Sequence, residues 1–185
     1  MTPLLLGLLG VLLLVGLCLV VMYNRFVRQR TLVDESWGGI DVELTRRHEL
    51  IPRLVETVRG YAAHERSVLA QLVTAREAAA AHARDDPQAR ETYEDSLGGA
   101  LSTVLARTEA YPDLRASATF LQLQRELTNT EDRIAASRRF YNGNVRAFNT
   151  RVRTFPSNLV ASSFGFDERD FFALRDQAMA LPPQV

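Results

Sequence analysis

The chain has 185 residues, 46 % of them hydrophobic, so one domain of ordinary size with a substantial apolar core is expected. Its 22 basic and 22 acidic residues give a net charge of zero, which argues against a general affinity for nucleic acid. The single cysteine, Cys18, leaves no partner for an intramolecular disulfide and no basis for a cysteine metal cluster.

Residues Leu4 to Met22 form an uncharged, leucine-rich run that as a helix would extend about 28 Å, close to the thickness of a bilayer's hydrocarbon core. We predict a transmembrane helix at 4–22, in contact with lipid, after a short tail at 1–3. A cleaved signal peptide is the alternative, but no basic residue precedes Leu4 and no small-residue cleavage site follows the run. Arg25, Arg28 and Arg30 follow the span, so the positive-inside rule predicts an external N-terminus and a cytoplasmic remainder.

Beyond this span, apolar residues recur at spacings of three and four, which predicts helices and no strands. The first stripe predicts one helix running to about His82. Gly38-Gly39 and Pro52 are expected to interrupt it, the glycines as a hinge and the proline as a bend. The residues of the stripe are Val33, Trp37, Ile40, Leu44, Ile51, Val55, Val58, Ala62, Leu69 and Leu72.

Asp86 and Pro87 are predicted to cap and begin a second helix, which "YPD" at 111–113 ends. A third helix is predicted from about Ser117 until Pro156 stops it. Its apolar stripe consists of Phe120, Leu123, Leu127, Thr130, Ile134, Ser137, Tyr141, Val145, Phe148, Val152 and Phe155.

Asp167 and Asp170 can cap a short last helix that contains Phe171, Phe172 and Leu174. Because short connections join the long helices, neighbouring helices are expected to be antiparallel. The predicted fold is all-α: the transmembrane helix, then an antiparallel up-down bundle of three long helices plus a short fourth at 23–181. Residues 182–185 are expected to be a frayed tail.

Two His-Glu pairs, at 48–49 and 64–65, are reminiscent of a zinc-binding helix. Such a helix needs a second histidine three residues after each glutamate, where this sequence has Pro52 and Val68. His48 and His64 would also lie about 160° apart around one helix. We therefore expect no metal site and solvent-facing histidines.

The sequence also lacks motifs for nucleophilic catalysis and phosphoryl transfer, because no serine lies in a nucleophile elbow and no phosphate-binding glycine loop is found. Most carboxylates stand beside arginines at helical spacing, as Glu131 does beside Arg133, which is typical of surface ion pairs. No catalysis, cofactor or small-molecule substrate is expected. A hydrolase with helix-borne carboxylates is the enzymatic alternative.

The aromatic residues Trp37, Phe120, Tyr141, Phe148 and Phe155 lie on apolar stripes and are predicted to be core. The segment "FPSNLVASSFGF" at 155–166 is predicted to be irregular and is strongly apolar. It must pack against either the bundle end or a partner.

Four motifs in this order resemble the LemA family of bacterial membrane proteins: "WGGIDVELTRRHELIPRLVETVRGYAAHE", "EDSLGGALSTVLARTEAYPDLRAS", "FLQLQRELTNTEDRIAASRRFYN" and "FPSNLVASSFGF". The resemblance covers about residues 23–172. It implies a single-pass anchor, a long-helix bundle and no reaction, and a related branch on bacterial organelle membranes implies scaffolding or membrane organisation. Gly38-Gly39 depart from the pattern, since polar, helix-forming residues are expected there.

The resemblance also supplies motif positions, which are candidate interaction residues. They are Trp37, Asp41, Arg46, Arg47, His48, Pro52, Gly60, Tyr61, His64, Tyr111, Pro112, Leu123, Gln124, Glu126, Leu127, Tyr141, Asn142, Phe155 and Pro156, to which the apolar segment adds Phe164 and Phe166. The expected function is a membrane-anchored scaffold or adaptor for an unidentified protein in the bacterial cell membrane. The alternative is a homo-oligomer that assembles through the third helix and shapes the membrane.

Overall fold

The computed structural model describes residues 2–61 and 65–174. Within those residues it contains six helices and no strand, which confirms the all-α fold. The helices are α1 (Thr2–Tyr61), α2 (Arg66–Ala81), α3 (Pro87–Thr108), α4 (Pro112–Ala116), α5 (Ala118–Arg153) and α6 (Ser157–Phe164).

The first helix differs from the prediction in two ways. It ends at Tyr61, and α2 begins separately at Arg66, so the prediction of one helix running to His82 was wrong. It also continues without a break through Gly38-Gly39 and Pro52, where interruptions were expected. Each glycine costs a helix only about 1 kcal/mol relative to alanine, and the fully buried Ile40 and Leu44 that follow can offset such a cost.

Pro52 is accommodated inside α1 by a side chain from α2. A proline has no N–H, so it cannot donate to the carbonyl four residues earlier, which here belongs to His48. The Nε–H of Arg76 donates to that carbonyl instead, at 2.8 Å. The missing backbone hydrogen bond is thereby replaced, and the partly buried carbonyl keeps a partner.

The described chain forms two compact units. The helix-pair unit contains the residues up to Trp37 together with Phe140–Asp170, and the bundle unit contains Gly38–Arg139 together with the chain from Phe171. Helices α1 and α5 contribute residues to both.

In the helix-pair unit, α1 and α5 run antiparallel. Trp37 packs against Tyr141, with ring centroids 5.3 Å apart, and Phe26 packs edge-on against Phe148 at 6.0 Å. Residue numbers in these contacts decrease along α1 as they increase along α5, so the two helices run in opposite directions.

The bundle unit holds a continuous hydrophobic core contributed by α1 to α5. Helices α2 and α3 are antiparallel, because His82 stacks on Tyr93 at one end and the Tyr111 hydroxyl donates to Glu65 at the other. The buried core residues are Leu50, Ile51, Leu54, Val55, Val58, Leu69, Leu72, Ala79, Leu97, Leu101, Val104, Leu114, Phe120, Leu123 and Leu127.

Several helix ends confirm the capping predictions. Asp86 caps α3 by accepting a hydrogen bond from the Ala89 amide at 2.8 Å, and Pro87 is the first helical residue. Helix α5 begins at Ala118 and ends at Arg153, just before Pro156. The short helix α4 was not predicted.

The region after Pro156 differs from the prediction. Residues 157–164, expected to be irregular, form α6, whereas the described residues 165–174 are not helical. Side chains of α5 occupy the backbone groups that a helix would need: Asn149 bonds both the N–H and the carbonyl of Arg169, and the Tyr141 hydroxyl donates to the Asp170 carbonyl. The predicted fourth helix is therefore wrong over these residues, and its predicted continuation to 181 lies outside the described residues.

The start of α1 is long and apolar enough to cross a membrane. Every side chain from Leu4 to Val21 is exposed, Leu4 at 81 %. Such a surface, apolar on every side of the helix, is suited to lipid rather than to water.

Replacing Arg76 by methionine should lower the free energy of unfolding by about 1–2 kcal/mol, because the carbonyl of His48 loses its donor. The same change made together with Pro52→Ala should cost far less, since an alanine at that position supplies the missing backbone N–H. Urea unfolding of the four proteins in detergent micelles, followed by circular dichroism, measures the difference. An equal cost of Arg76→Met in both backgrounds would show that Arg76 acts through other contacts.

Candidate functional site

The bundle unit contains a group of charged side chains between α1, α3 and α5, which we call the ionic cluster. Four of its members are nearly withdrawn from solvent: the side chains of Glu94, Arg47, Arg90 and His48 are 0, 3, 3 and 12 % exposed. Its members are Asp41, Arg47, His48, Arg90, Glu94 and Glu131.

Helical spacing turns these residues inward. On α3, Leu97 and Leu101 continue an inward-facing stripe, and stepping back by three and then four residues gives Glu94 and Arg90. On α1, Arg47 lies three residues after Leu44 and four before Ile51, both buried core residues. Charged side chains thus occupy positions at which the helical pattern demands burial.

Glu94 is the centre of the cluster. Its carboxylate accepts a hydrogen bond from Arg47 Nη2, and its two oxygens lie 3.1 and 3.3 Å from Nε2 of His48. Arg90, one turn earlier on α3, places its Nε 3.7 Å from the same carboxylate. One buried anion is therefore surrounded by two guanidinium groups and an imidazole.

The cluster reaches the surface through two further carboxylates. Arg47 Nη1 lies 3.2 Å from Oε1 of Glu131 on α5, and Arg90 Nη2 lies 2.8 Å from Oδ1 of Asp41 on α1. Asp41 is 53 % exposed and Glu131 is 27 % exposed. The chain of contacts links three helices from surface to interior and back.

The pKa values of the central pair follow from these contacts. Burial alone would raise the pKa of Glu94, but the hydrogen bond from His48 and the charge of Arg47 outweigh it and hold the pKa below its ordinary value. Burial likewise opposes the charged form of Arg47, yet the charges of Glu131 and Glu94 keep its pKa raised. Both groups are therefore ionised together at neutral pH.

This arrangement favours a structural role over a chemical one. The carboxylate of Glu94 is already engaged by donors, and a metal cation placed beside it would be repelled by Arg47 and Arg90. Within the part of the chain that the structure describes, no three His, Cys, Asp or Glu side chains are grouped to hold a metal ion. The cluster can join helices, fix their register and resist their separation.

Two predictions about charge are corrected here. His48 does not face solvent, because its ring is bonded to buried Glu94. Glu131 pairs with Arg47 across the bundle, not with its neighbour Arg133, which instead lies 3.5 Å from Glu43 of α1. A prediction based on short helical spacings did not identify these partners from other helices.

Sequence reasoning also missed Glu94 and Arg90. The signal was present, because extending the stripe of α3 back from Leu97 at the same spacing reaches both residues. A second signal was the gap of seven residues between Leu44 and Ile51 in the first stripe, which Arg47 fills.

The helix-pair unit contains a different feature, an aromatic cluster at the end of the apolar span. Phe26 stacks on Phe166 with centroids 4.8 Å apart and planes 13° from parallel. Tyr23 lies 5.0 Å from Phe164 and 5.7 Å from Phe166, and Phe148 approaches Phe26 from α5. These contacts hold α6 and the residues after it against α1.

Gly165 sends the chain back after α6. Its φ of +69° is the left-handed conformation that glycine adopts without steric cost. The Phe166 amide donates to the Ala161 carbonyl at 2.9 Å, which closes the helix end and turns the Phe166 ring inward. Val160, Ala161 and Phe166 are buried, so part of the apolar segment is core.

The other part is exposed. Phe155, Leu159 and Phe164 are 75, 58 and 58 % exposed. The prediction that Phe155 is core was therefore wrong, because α5 ends at Arg153 and Phe155 lies beyond the helix that carries the stripe.

Two motif tyrosines hold chain segments in place. The Tyr141 hydroxyl bonds the Asp170 carbonyl at 2.8 Å, and burial raises its pKa to about 12. The Tyr111 hydroxyl donates to Glu65 at 3.1 Å, which ties the start of α2 to the end of α3.

The candidate positions do not gather at one place: Asp41, Arg47 and His48 lie in the ionic cluster, whereas Phe164 and Phe166 lie in the aromatic cluster. Arg47, Leu123, Leu127, Tyr141 and Phe166 are buried; Trp37, His48, Tyr111, Gln124, Glu126 and Asn142 are half-buried; Asp41, Arg46, Pro52, Gly60, Tyr61, Pro112, Phe155, Pro156 and Phe164 are exposed. His64 lies outside the described residues.

A long apolar N-terminal helix that continues into an all-α bundle defines the class of membrane-associated helical proteins. Within that class, the sequence profile of the LemA family matches residues 36–185. The chain belongs to the LemA family.

Individual relatives are also similar to the chain. The chain is 29 % identical to Protein LemA of Metamycoplasma hominis over 140 residues, covering 75 % of this chain and 63 % of the relative. It is 23 % identical to the Magnetosome protein MamQ of Magnetospirillum gryphiswaldense over 178 residues, covering 83 % of this chain and 65 % of the relative. Magnetosome protein MamQ 2 of Paramagnetospirillum magneticum is 24 % identical over the same length. The chain thus spans a little under two thirds of these relatives' length.

Replacing Arg47 by methionine should lower the free energy of unfolding by about 3–5 kcal/mol, because the buried charge of Glu94 loses its main partner. The matched control is Arg46→Met, since Arg46 is the exposed neighbour on the same helix and surface ion pairs are worth only about 0–1 kcal/mol. Thermal unfolding in detergent micelles compares the two variants. Equal losses would contradict the central role of Glu94's pairing.

The lowered pKa of Glu94 predicts how stability depends on pH. Its contribution is complete above the ordinary carboxyl pKa of about 4.3 and declines as pH falls toward the lower pKa of the folded state. The Glu94→Gln variant lacks this contribution, so its deficit in melting temperature should be largest near neutral pH and shrink below pH of about 4. Glu49→Gln, at an exposed position of α1, should follow the native protein throughout. A deficit for Glu94→Gln that does not change with pH would contradict the prediction.

Proposed function

We propose that this protein is a membrane-anchored helical scaffold or adaptor, which crosses the bacterial cell membrane once through α1 and acts through protein–protein contacts without catalysis. The observation that carries the proposal is the ionic cluster. Its acids, arginines and imidazole are paired with one another inside the bundle, where they hold α1, α3 and α5 in register. The most buried charged groups of the bundle thus serve its shape, which is what a binding platform needs.

The enzymatic alternative, a hydrolase with helix-borne carboxylates, gains no support from this geometry. A general acid or base requires a carboxyl group that can reach substrate and whose pKa is brought toward neutrality. Glu94 has the opposite character, because it is withdrawn from solvent and its pKa is lowered.

The proposed orientation places the N-terminus outside and the bundle in the cytoplasm. Arg25, Arg28 and Arg30 follow the apolar run directly. Arginines close to a span are retained on the cytoplasmic side.

The names of the relatives support a membrane setting. Two of them are named magnetosome proteins, and the resemblance noted in the sequence implies a related branch on bacterial organelle membranes. The proposed role here is the organisation of proteins at a membrane by a rigid, anchored bundle.

A homo-oligomer that organises the membrane is the second candidate, and Phe140 is a position at which the two candidates can be distinguished. This large apolar residue of α5 is 62 % exposed. An exposed aromatic side chain on a long helix is a common anchor for a second helix, either of the same chain or of another protein.

A photo-crosslinking amino acid at position 140, in the full-length protein in its own membranes, should capture a reproducible second protein, identified by mass spectrometry after purification in detergent. The control is position 146, also exposed and about 120° around the helix from 140. A ladder of self-adducts at 140 would instead establish the homo-oligomer. Equal adducts at both positions, or none at 140, would contradict protein contacts through this face.

A further inference from the structure

The end of α5 reaches the depth of the apolar span. Phe148 packs against Phe26, and the two helices are antiparallel in this unit. Because helices advance by the same rise per residue, Arg153 at the end of α5, five residues after Phe148, lies at about the level of Val21, five residues before Phe26. Val21 belongs to the apolar run that ends at Met22, and Phe155 follows Arg153 by two residues.

The end of α6 lies at the same level by direct contact. The rings of Phe164 and Tyr23 are 5.0 Å apart, and Tyr23 is the first residue after the apolar run. The segment Phe155–Phe166, which we call the foot, therefore begins close to the level of the last turn of the span and contacts Tyr23 at its other end.

The exposed residues of the foot are those that lipid would cover. Phe164 shares a helix face with Val160 and Ala161 by spacing, yet they are 2 % exposed and it is 58 % exposed. Leu159 is equally exposed, and Phe155 more so. A group of three large apolar side chains beside an apolar span has the composition of an interfacial anchor, in which aromatic and aliphatic residues sit at the headgroup boundary.

Charges near the foot point to the same environment. Arg151 of α5 is close enough to Arg25 of α1 for its pKa to be lowered by partial burial and by the positive charge of Arg25. Among the residues that the structure describes, neither arginine has an ion-pair partner, whereas the nearby Arg153 is paired with Glu168. Two guanidinium groups at this level are matched by the phosphate of a lipid headgroup.

The geometry points to a second membrane contact: the foot inserts Phe155, Leu159 and Phe164 into the headgroup boundary of the bilayer that α1 crosses, with Arg25 and Arg151 at the lipid phosphates. This inference rests on the proposed function in that α1 must span the membrane. The partner of the exposed face is lipid. A consequence is that the antiparallel pair of α1 and α5 is attached to the bilayer at two points, which restricts its tilt and rotation.

The test uses the full-length protein with Cys18→Ser, reconstituted in nanodiscs of phosphatidylcholine and phosphatidylglycerol. Single cysteines replace Leu159, Phe164, Gly143 or Leu14 and carry an environment-sensitive fluorophore. Gly143 is the control on α5, since it is exposed and an added side chain meets no neighbouring atom there. Leu14, in the apolar run, reports on the span itself. Circular dichroism verifies that each variant keeps its helices.

Lipids brominated on the upper part of their acyl chains should reduce emission strongly at 159 and 164 and not at 143. Lipids brominated near the ends of their acyl chains should reduce it at 14, which lies near the middle of the span. Loss of emission at 14 but not at 159 or 164 would overturn the inference and leave the anchor intact. No loss at 14 would overturn the proposed anchor and the foot together. Equal loss at 143 would also overturn the inference. So would protection of positions 159 and 164 from both bromine and aqueous iodide, because a protein would then cover that face.

Discussion

The structure of the bundle depends on one constraint, which is that the charge of Glu94 cannot be buried alone. Removing a carboxylate from water costs several kcal/mol unless charged and hydrogen-bonding partners compensate for it. Arg47 and His48 of α1 supply that compensation at adjacent positions, and Arg90 adds to it from the same helix as Glu94. A rotation of α1 by one residue would remove the partners and leave the anion unpaired. The cluster therefore specifies register more sharply than the surrounding leucines, which tolerate small shifts.

The same accounting extends to backbone groups. Where a backbone group lacks its regular hydrogen-bond partner, a side chain from a neighbouring element supplies one. Arg76 donates to the His48 carbonyl, for which Pro52 has no N–H, and Asn149 bonds the backbone N–H and carbonyl of Arg169. The first lets a proline lie inside a continuous helix, and the second holds a non-helical segment along α5. In each case a single polar side chain satisfies backbone groups that regular secondary structure leaves without a partner.

This division explains what the sequence could predict. The stripe of α5 identified Phe120, Leu127 and Phe148 as core because burial repeats with the helical period, and all three are buried. Asp86 and Pro87 were recognisable because capping is local. The pairing of Arg47 with Glu94 and Glu131 was not predictable. The partners are 47 and 84 residues apart, and the pattern of charges along a sequence does not indicate which distant residues will pair.

Exposure of apolar residues has a different origin at different places in this chain. From Leu4 to Val21 the helix is apolar on all sides and exposed, which is the pattern of a lipid-facing span. From Phe26 onward, only one stripe of α1 is buried and the remainder is largely polar, which is the pattern of a helix in water. The foot belongs to neither pattern, because a buried half and an exposed apolar half occur within twelve residues. Such a division fits a boundary between the two solvents, where one face packs on protein and the other meets the headgroup region. The register of α1 and α5, which the contact between Phe26 and Phe148 reports, places the foot beside the end of the apolar run.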